Sequence, residues 1–163
     1  MTKPESNSPS GGDTHTDPPA AMRPLHLRPG LLALVFLGGT AGTAAREACS
    51  LIFPTSTGFP LTVFIINIAG AFLLGLLLES LLRRGTDQGW RRRIRLLVGT
   101  GFMGGFTTYS TLATDSALLL ADGMTGTMLG YAVGTILLGA LATFLGILVG
   151  SRIPRAAASL EAE

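Results

Sequence analysis

The chain has 163 residues; 47% are hydrophobic, only 13% are charged, and the formal net charge is +2. About a quarter charged is usual for a soluble domain, and here the charges gather in the first thirty residues, in Arg83 to Arg95 and in the last dozen. That distribution excludes a soluble nucleic-acid-binding domain, because the basic residues flank apolar spans; it predicts one polytopic membrane domain with polar ends. Residues 1–29 are rich in Pro, Ser, Thr, Gly and Asp and are expected to form a disordered tail. No apolar h-region follows the start, so the tail does not read as a signal peptide. The first apolar span is Gly30–Ile52, with Arg46 and Glu47 near its far end. The second is Pro60–Leu82, the third Ile94–Leu120 and the fourth Gly126–Gly150, followed by a polar tail, 151–163. Each is longer than the about 20 helical residues that cross a bilayer core. Only helices and closed barrels span membranes, and no span alternates polar with apolar. Residues 30–150 are therefore expected to form a four-helix, all-α membrane bundle.

The loops set its direction. Lys3, Arg23, Arg28, Arg83, Arg84, Arg91, Arg92, Arg93, Arg95, Arg152 and Arg155 lie in the tails and the central loop, and only Arg46 falls on the opposite side. The positive-inside rule then places both termini in the cytoplasm of a multi-pass protein. Trp90 reads as an interfacial anchor. The arginine cluster reads as a topology signal, with anionic-lipid binding as the lesser alternative. The single Cys49 permits no intrachain disulfide.

The polar residues inside the spans carry the functional information. Glycines recur at four-residue spacing at Gly38 and Gly42, Gly101 and Gly105, Gly126, Gly130 and Gly134, and Gly146 and Gly150. Such spacing lets helix backbones approach closely. Asn67 in NIAGAFLLG is either an interhelical hydrogen-bonding group or a pore-lining donor. Tyr131, Thr135, Gly139 and Thr143 share one face of the fourth span. They form either a polar track or a set of hydroxyls bonded back to their own helix. The third span contains GFMGGFTTYSTL, three glycines followed by Thr107, Thr108, Ser110 and Thr111. A helix break at membrane depth needs protein or a water-filled cavity around it. Its freed carbonyls suit a hard cation such as Na⁺, and the hydroxyls suit an anion; a kinked packing helix is the alternative. No histidine lies in the membrane, the only lysine is Lys3, and no Cys/His cluster or catalytic constellation stands out. A proton relay, a phosphate-binding loop and enzymatic activity are not expected.

These residues are similar to the Fluc/CrcB family of bacterial fluoride channels, from about Leu31 to Gly150. GGTAGTAAR (Gly38–Arg46) resembles the family's G-G-x-x-G-x-x-R, and NIAGAFLLG (Asn67–Gly75) its N-x-x-G-x-F-x-x-G. GFMGGFTTYSTL (Gly101–Leu112) resembles G-F-x-G-G-x-T-T-F-S-T-F, the most specific match, and the Tyr131 track resembles the polar fourth helix. The resemblance implies an antiparallel dimer in the plasma membrane, with the third helix broken. It implies passive fluoride exit along Asn67, Thr108, Tyr109, Ser110, Leu112, Tyr131, Thr135 and Thr143, relieving fluoride toxicity. It implies a structural Na⁺ at the dimer centre, held by the Gly104 and Thr107 carbonyls, and structural roles for Arg46, Gly101 and Gly105.

Two departures stand out. Tyr109 and Leu112 occupy the positions of two family phenylalanines, and Asp115 replaces a glutamate. An antiparallel homodimer needs each chain to insert both ways, which the arginine bias opposes. The expected partner is therefore an oppositely oriented paralogue that supplies intact phenylalanines. A non-conducting partner subunit and a small multidrug exporter using Glu47 are the alternative functions.

Overall fold

In the computed structural model, residues 28–55 and 58–154 are described. The expected tails, 1–29 and 151–163, fall mostly outside this range, as do Lys3, Arg23 and Arg155. Among the described residues the chain is helical and has no strand. The elements are α1 (Pro29–Ile52), α2 (Leu61–Arg83), α3 (Gly89–Ile94), a π-helical segment (Arg95–Phe102), α4 (Met103–Phe106), α5 (Tyr109–Ala121) and α6 (Thr125–Gly150).

Helix α1 begins with Pro29, whose missing N–H costs nothing in a first turn. It therefore starts one residue earlier than the apolar run suggests. Helices α2 and α6, of 23 and 26 residues, are long and apolar enough to cross a membrane. The expected third span starts at Gly89 rather than Ile94 and is not one helix. It runs from α3 through the π segment to α4, stops at Thr107 and Thr108, and resumes as α5. The break thus falls inside the glycine-threonine motif. The π segment is not visible in the sequence; its last turn closes with Met103 N–H donating to the Val98 carbonyl, five residues back.

Helix α5 ends in a Schellman motif. Met124 N–H reaches the Leu119 carbonyl (2.8 Å) and Gly123 N–H the Leu120 carbonyl (3.1 Å). This turn requires a left-handed residue, and Gly123 supplies it at φ +74°.

The helices associate as two pairs, α2 on α6 and α1 on the π segment with α4. Glycines make both contacts. A Cβ on Gly38 would collide with the Leu97 carbonyl, one on Gly42 with the Phe102 carbonyl, and one on Gly105 with that of Gly39. In the second pair Gly75 lies against the Thr143 carbonyl and Gly146 against that of Phe72. The expected series Gly126, Gly130 and Gly134 behaves differently. Gly126 and Gly130 have no atom within 4 Å of a built Cβ, and Gly134 meets only the Phe64 ring. Among the described residues Gly126 and Gly130 make no helix contact, and Gly134 meets α2 only through that ring.

Packing therefore separates two kinds of glycine. Gly42→Ala is expected to destabilise the protein by about 1–3 kcal/mol, because the obstructing atoms are backbone and cannot rotate away. Gly130→Ala is expected to leave stability of the single chain unchanged. Thermal unfolding in detergent distinguishes the two.

Candidate functional site

The break in the third helix organises the site. Asn67, two turns into α2, holds it through one backbone residue. Its Oδ1 accepts from Thr108 N–H (2.8 Å) and its Nδ2 donates to the Thr108 carbonyl (3.1 Å). Only this amide orientation satisfies both groups, which fixes the assignment of oxygen and nitrogen. The side chain thus replaces the helical partners that Thr108 lost. The second N–H of Asn67 remains for other acceptors.

The two helix ends at the break are treated differently. At the C-terminal end of α4, Arg46 Nε donates to the Gly105 carbonyl (3.3 Å) and the Thr43 hydroxyl approaches the same oxygen (3.5 Å). A cation there complements the negative end of the helix dipole. Thr107 N–H closes on the Met103 carbonyl (2.9 Å), and Thr108 N–H is taken by Asn67. Among the described residues the Gly104 and Thr107 carbonyls therefore receive no donor, and Gly104 is exposed with no atom near a built Cβ. At the N-terminal end of α5, Thr108 is an N-cap whose hydroxyl accepts from Thr111 N–H (3.1 Å). The same hydroxyl donates to Thr111 Oγ1 (3.0 Å) and lies 3.1 Å from Ser110 Oγ.

Between α2, the break and α6 lies a groove of about 330 Å³. It is lined by six of the eight residues expected along the anion path: Asn67, Thr108, Tyr109, Leu112, Thr135 and Thr143. The other two lie elsewhere. Ser110 is exposed beside Thr108, and Tyr131 is 0% exposed. The Tyr131 phenol donates to Asp115 Oδ2 (3.1 Å), and its ring meets the Phe59 ring edge-on at 5.5 Å. Tyr131 therefore ties α5 to α6. Tyr109 is 81% exposed at the groove's open side, whereas Leu112 is 8% exposed and packs in a cluster with Leu119 and Tyr131. Gly101 is buried against Val35 and Gly38, and Gly105 against Gly39, in the α1 contact.

The groove carries no charged group. Its threonines are bonded back to their own helix, Thr135 Oγ1 to the Tyr131 carbonyl (2.6 Å) and Thr143 Oγ1 to that of Gly139 (3.0 Å). Thr143 Oγ1 also lies 3.4 Å from the Ala71 carbonyl, so both hydroxyls are already engaged by backbone acceptors. No buried side-chain polar atom among the described residues lacks a partner. Gly70 and Gly139 also line the groove; Gly70 lets the Thr107 methyl sit against α2. Gly70 lies three residues after Asn67 on the same helix face, a signal available from spacing alone.

The model of the CrcB-like protein family, described as Camphor Resistance (CrcB), matches residues 33–147. The chain belongs to this family. It is 49% identical over 131 residues to a fluoride-specific ion channel FluC 2 of Leifsonia xyli, covering 80% of this chain and 90% of the relative. It is 44% identical over 119 residues to a fluoride-specific ion channel FluC 2 of Bacillus cereus, covering 72% and 94%. With the fluoride-specific ion channel FluC of Deinococcus radiodurans it shares 41% identity over 120 residues, covering 72% and 92%.

Asn67→Ala removes both bonds to Thr108 and leaves a backbone N–H and C=O unpaired at the break. A loss of about 1–3 kcal/mol per orphaned group is expected, read as a fall in thermal unfolding temperature in detergent. Ser110→Ala, at an exposed hydroxyl, is expected to change stability by less than about 0.5 kcal/mol.

Proposed function

We infer that this chain is the subunit of a fluoride-selective ion channel, a membrane protein that lets fluoride leave the cytoplasm passively, and not an enzyme. The observation that carries the reading is the uncharged groove at the helix break, in a chain 49% identical to a relative named as a fluoride-specific channel. Fluoride is small and tightly hydrated. A selective path must replace its water with well-placed donors, yet bind weakly enough to release it. Amide N–H and hydroxyl groups meet both needs; a buried lysine or arginine would hold the ion too firmly.

Asn67 offers its second N–H to the groove. Thr135 and Thr143 offer hydroxyls only after turning away from the Tyr131 and Gly139 carbonyls. A neutral hydrogen bond is worth about 0.5–1.5 kcal/mol net and one to an ion about 1.5–3 kcal/mol. The exchange is thus favourable by a small margin, the condition for a site that both takes up and releases an anion. Ser110 and Tyr109 extend the path to the exposed side, and Leu112 leaves it without a ring edge at that position. Tyr131 acts at one remove, by fixing α6 beside α5.

Four membrane crossings, formed by α1, α2, the broken third helix and α6, follow from the four apolar runs, and cytoplasmic termini in the bacterial cell follow from the arginine distribution. The groove is open along one side and needs a second subunit to close it. An antiparallel dimer, with an oppositely oriented paralogue in the second place, satisfies both conditions. The carbonyls of Gly104 and Thr107 fit a structural Na⁺. They are unpaired, they lie at the negative end of a helix, and Gly104 is open to a partner. Two oxygens are too few for a hard cation, so the partner subunit would complete the set.

The decisive experiment is efflux from liposomes loaded with fluoride or chloride. Fluoride flux without chloride flux is expected when the chain is reconstituted with its paralogue. Flux from this chain alone sinks the heterodimer; silence in both settings favours a non-conducting subunit, for which the buried Leu112 is the motive. In the conducting assembly, Asn67→Asp replaces the donor with a negative oxygen facing the Thr108 carbonyl. Fluoride flux is expected to fall to background, and undiminished flux would remove Asn67 from the path.

A further inference from the structure

A second cavity lies at the opposite end of α1 from Arg46. It has a volume of about 480 Å³ and is walled by Arg28, Gly30, Leu31 and Leu34 from the start of α1 and by Gly89, Arg92 and Arg93 from the start of α3. Three arginines and two leucines thus line one space.

Among the described residues the charge there is only partly cancelled. Asp87 is the carboxylate beside the cluster, and it is engaged by Arg95 through two bonds of 3.1 and 2.7 Å. The hydrogen bond from Arg95 holds the Asp87 carboxyl below the usual carboxylate range, so it stays ionised and paired. Arg92 reaches the Asp87 carboxylate only at 3.8 Å. Its Nε and Nη2 also donate to the Asp87 backbone carbonyl (3.0 and 2.6 Å), so Arg92 is held by Asp87 and only partly paired with its carboxylate. Among the described residues Arg28 and Arg93 make no ion pair.

We propose that this cavity is a binding site for a phosphate-bearing anion, supplied by the headgroup of an anionic phospholipid. Arginine forks match phosphate oxygens in pairs. Leu31 and Leu34 continue from the arginines along α1, so a lipid can seat its phosphate on the guanidinium groups and its first acyl carbons on the leucines. Basic pockets between membrane helices on one face of the bilayer recognise lipid headgroups in this way. The site lies at the far end of α1 from Arg46 and the break, and it rests on the chain's membrane character rather than on fluoride conduction.

Trp90, the only tryptophan, follows Gly89 in the cavity wall and is 55% exposed, so it reports occupancy. The full chain is placed in phosphatidylcholine nanodiscs doped with brominated phosphatidylglycerol or, separately, brominated phosphatidylcholine. Stronger quenching by phosphatidylglycerol is expected. Its apparent affinity should fall about five-fold in each of Arg28→Gln and Arg93→Gln. Arg28→Lys and Arg152→Gln, the latter outside the cavity, should retain most of the preference. Inorganic phosphate added to undoped discs separates the sources. A saturable change in Trp90 emission without any phosphatidylglycerol preference assigns the site to phosphate from solution. Equal quenching by both lipids with no response to phosphate overturns the proposal, as does a preference that survives both arginine-to-glutamine changes.

Discussion

The clasp between Asn67 and Thr108 is the constraint on which the rest of the site depends. A helix interrupted at membrane depth leaves backbone groups that lipid cannot solvate, and each costs several kcal/mol if unpaired. One side-chain amide satisfies both groups of Thr108, and Arg46 with Thr43 takes the Gly105 carbonyl on the other side. The break is therefore a fixed feature, not a loose kink. Among the described residues the carbonyls left without a donor are those of Gly104 and Thr107.

Glycine contacts position this clasp. Gly38, Gly42 and Gly105 bring α1 onto the upstream half of the third helix, close enough for Arg46 to reach Gly105. Gly75 and Gly146 bring α2 onto α6, which sets Asn67 and the Thr135–Thr143 face on the same groove. The two pairs meet at Thr107 and Thr108. Tyr131 closes the far end by linking α6 to Asp115 of α5. Each contact is backbone against backbone or a hydrogen bond in an apolar setting, so small changes in side-chain volume at these points carry large consequences.

The groove's chemistry follows from what is left out. It has amide and hydroxyl groups but no fixed charge, and its hydroxyls begin bonded to their own helix. An anion passing such groups meets a series of weak exchanges rather than one deep well. The Asp87–Arg95 pair and the cluster of Arg28, Arg92 and Arg93 lie away from the groove, beside the starts of α1 and of the third helix.

Much of this was legible in the sequence. Apolar runs located α1, α2 and α6 to within a residue or two, because apolar content and charge are linear properties of a chain. The glycine-threonine motif located the break, since three glycines and four hydroxyls are poor material for a lipid-facing helix. The sequence could not choose between the two readings of Asn67, nor between a track and back-bonded threonines. Those depend on which atoms lie within about 3 Å, and that distance is set by helix packing. Gly126 and Gly130 show the same limit: their spacing equals that of Gly38 and Gly42, yet only the latter meet a helix in this chain. Register places Tyr131 on one face of α6 with Thr135, but its phenol and ring meet Asp115 and Phe59 rather than the groove. Composition and motif thus determined where the apolar helices run and where the third one breaks. Only the tertiary structure decided which polar groups are already satisfied and which remain free to meet an ion, because hydrogen-bond pairing is a property of neighbours in space and not of neighbours in sequence.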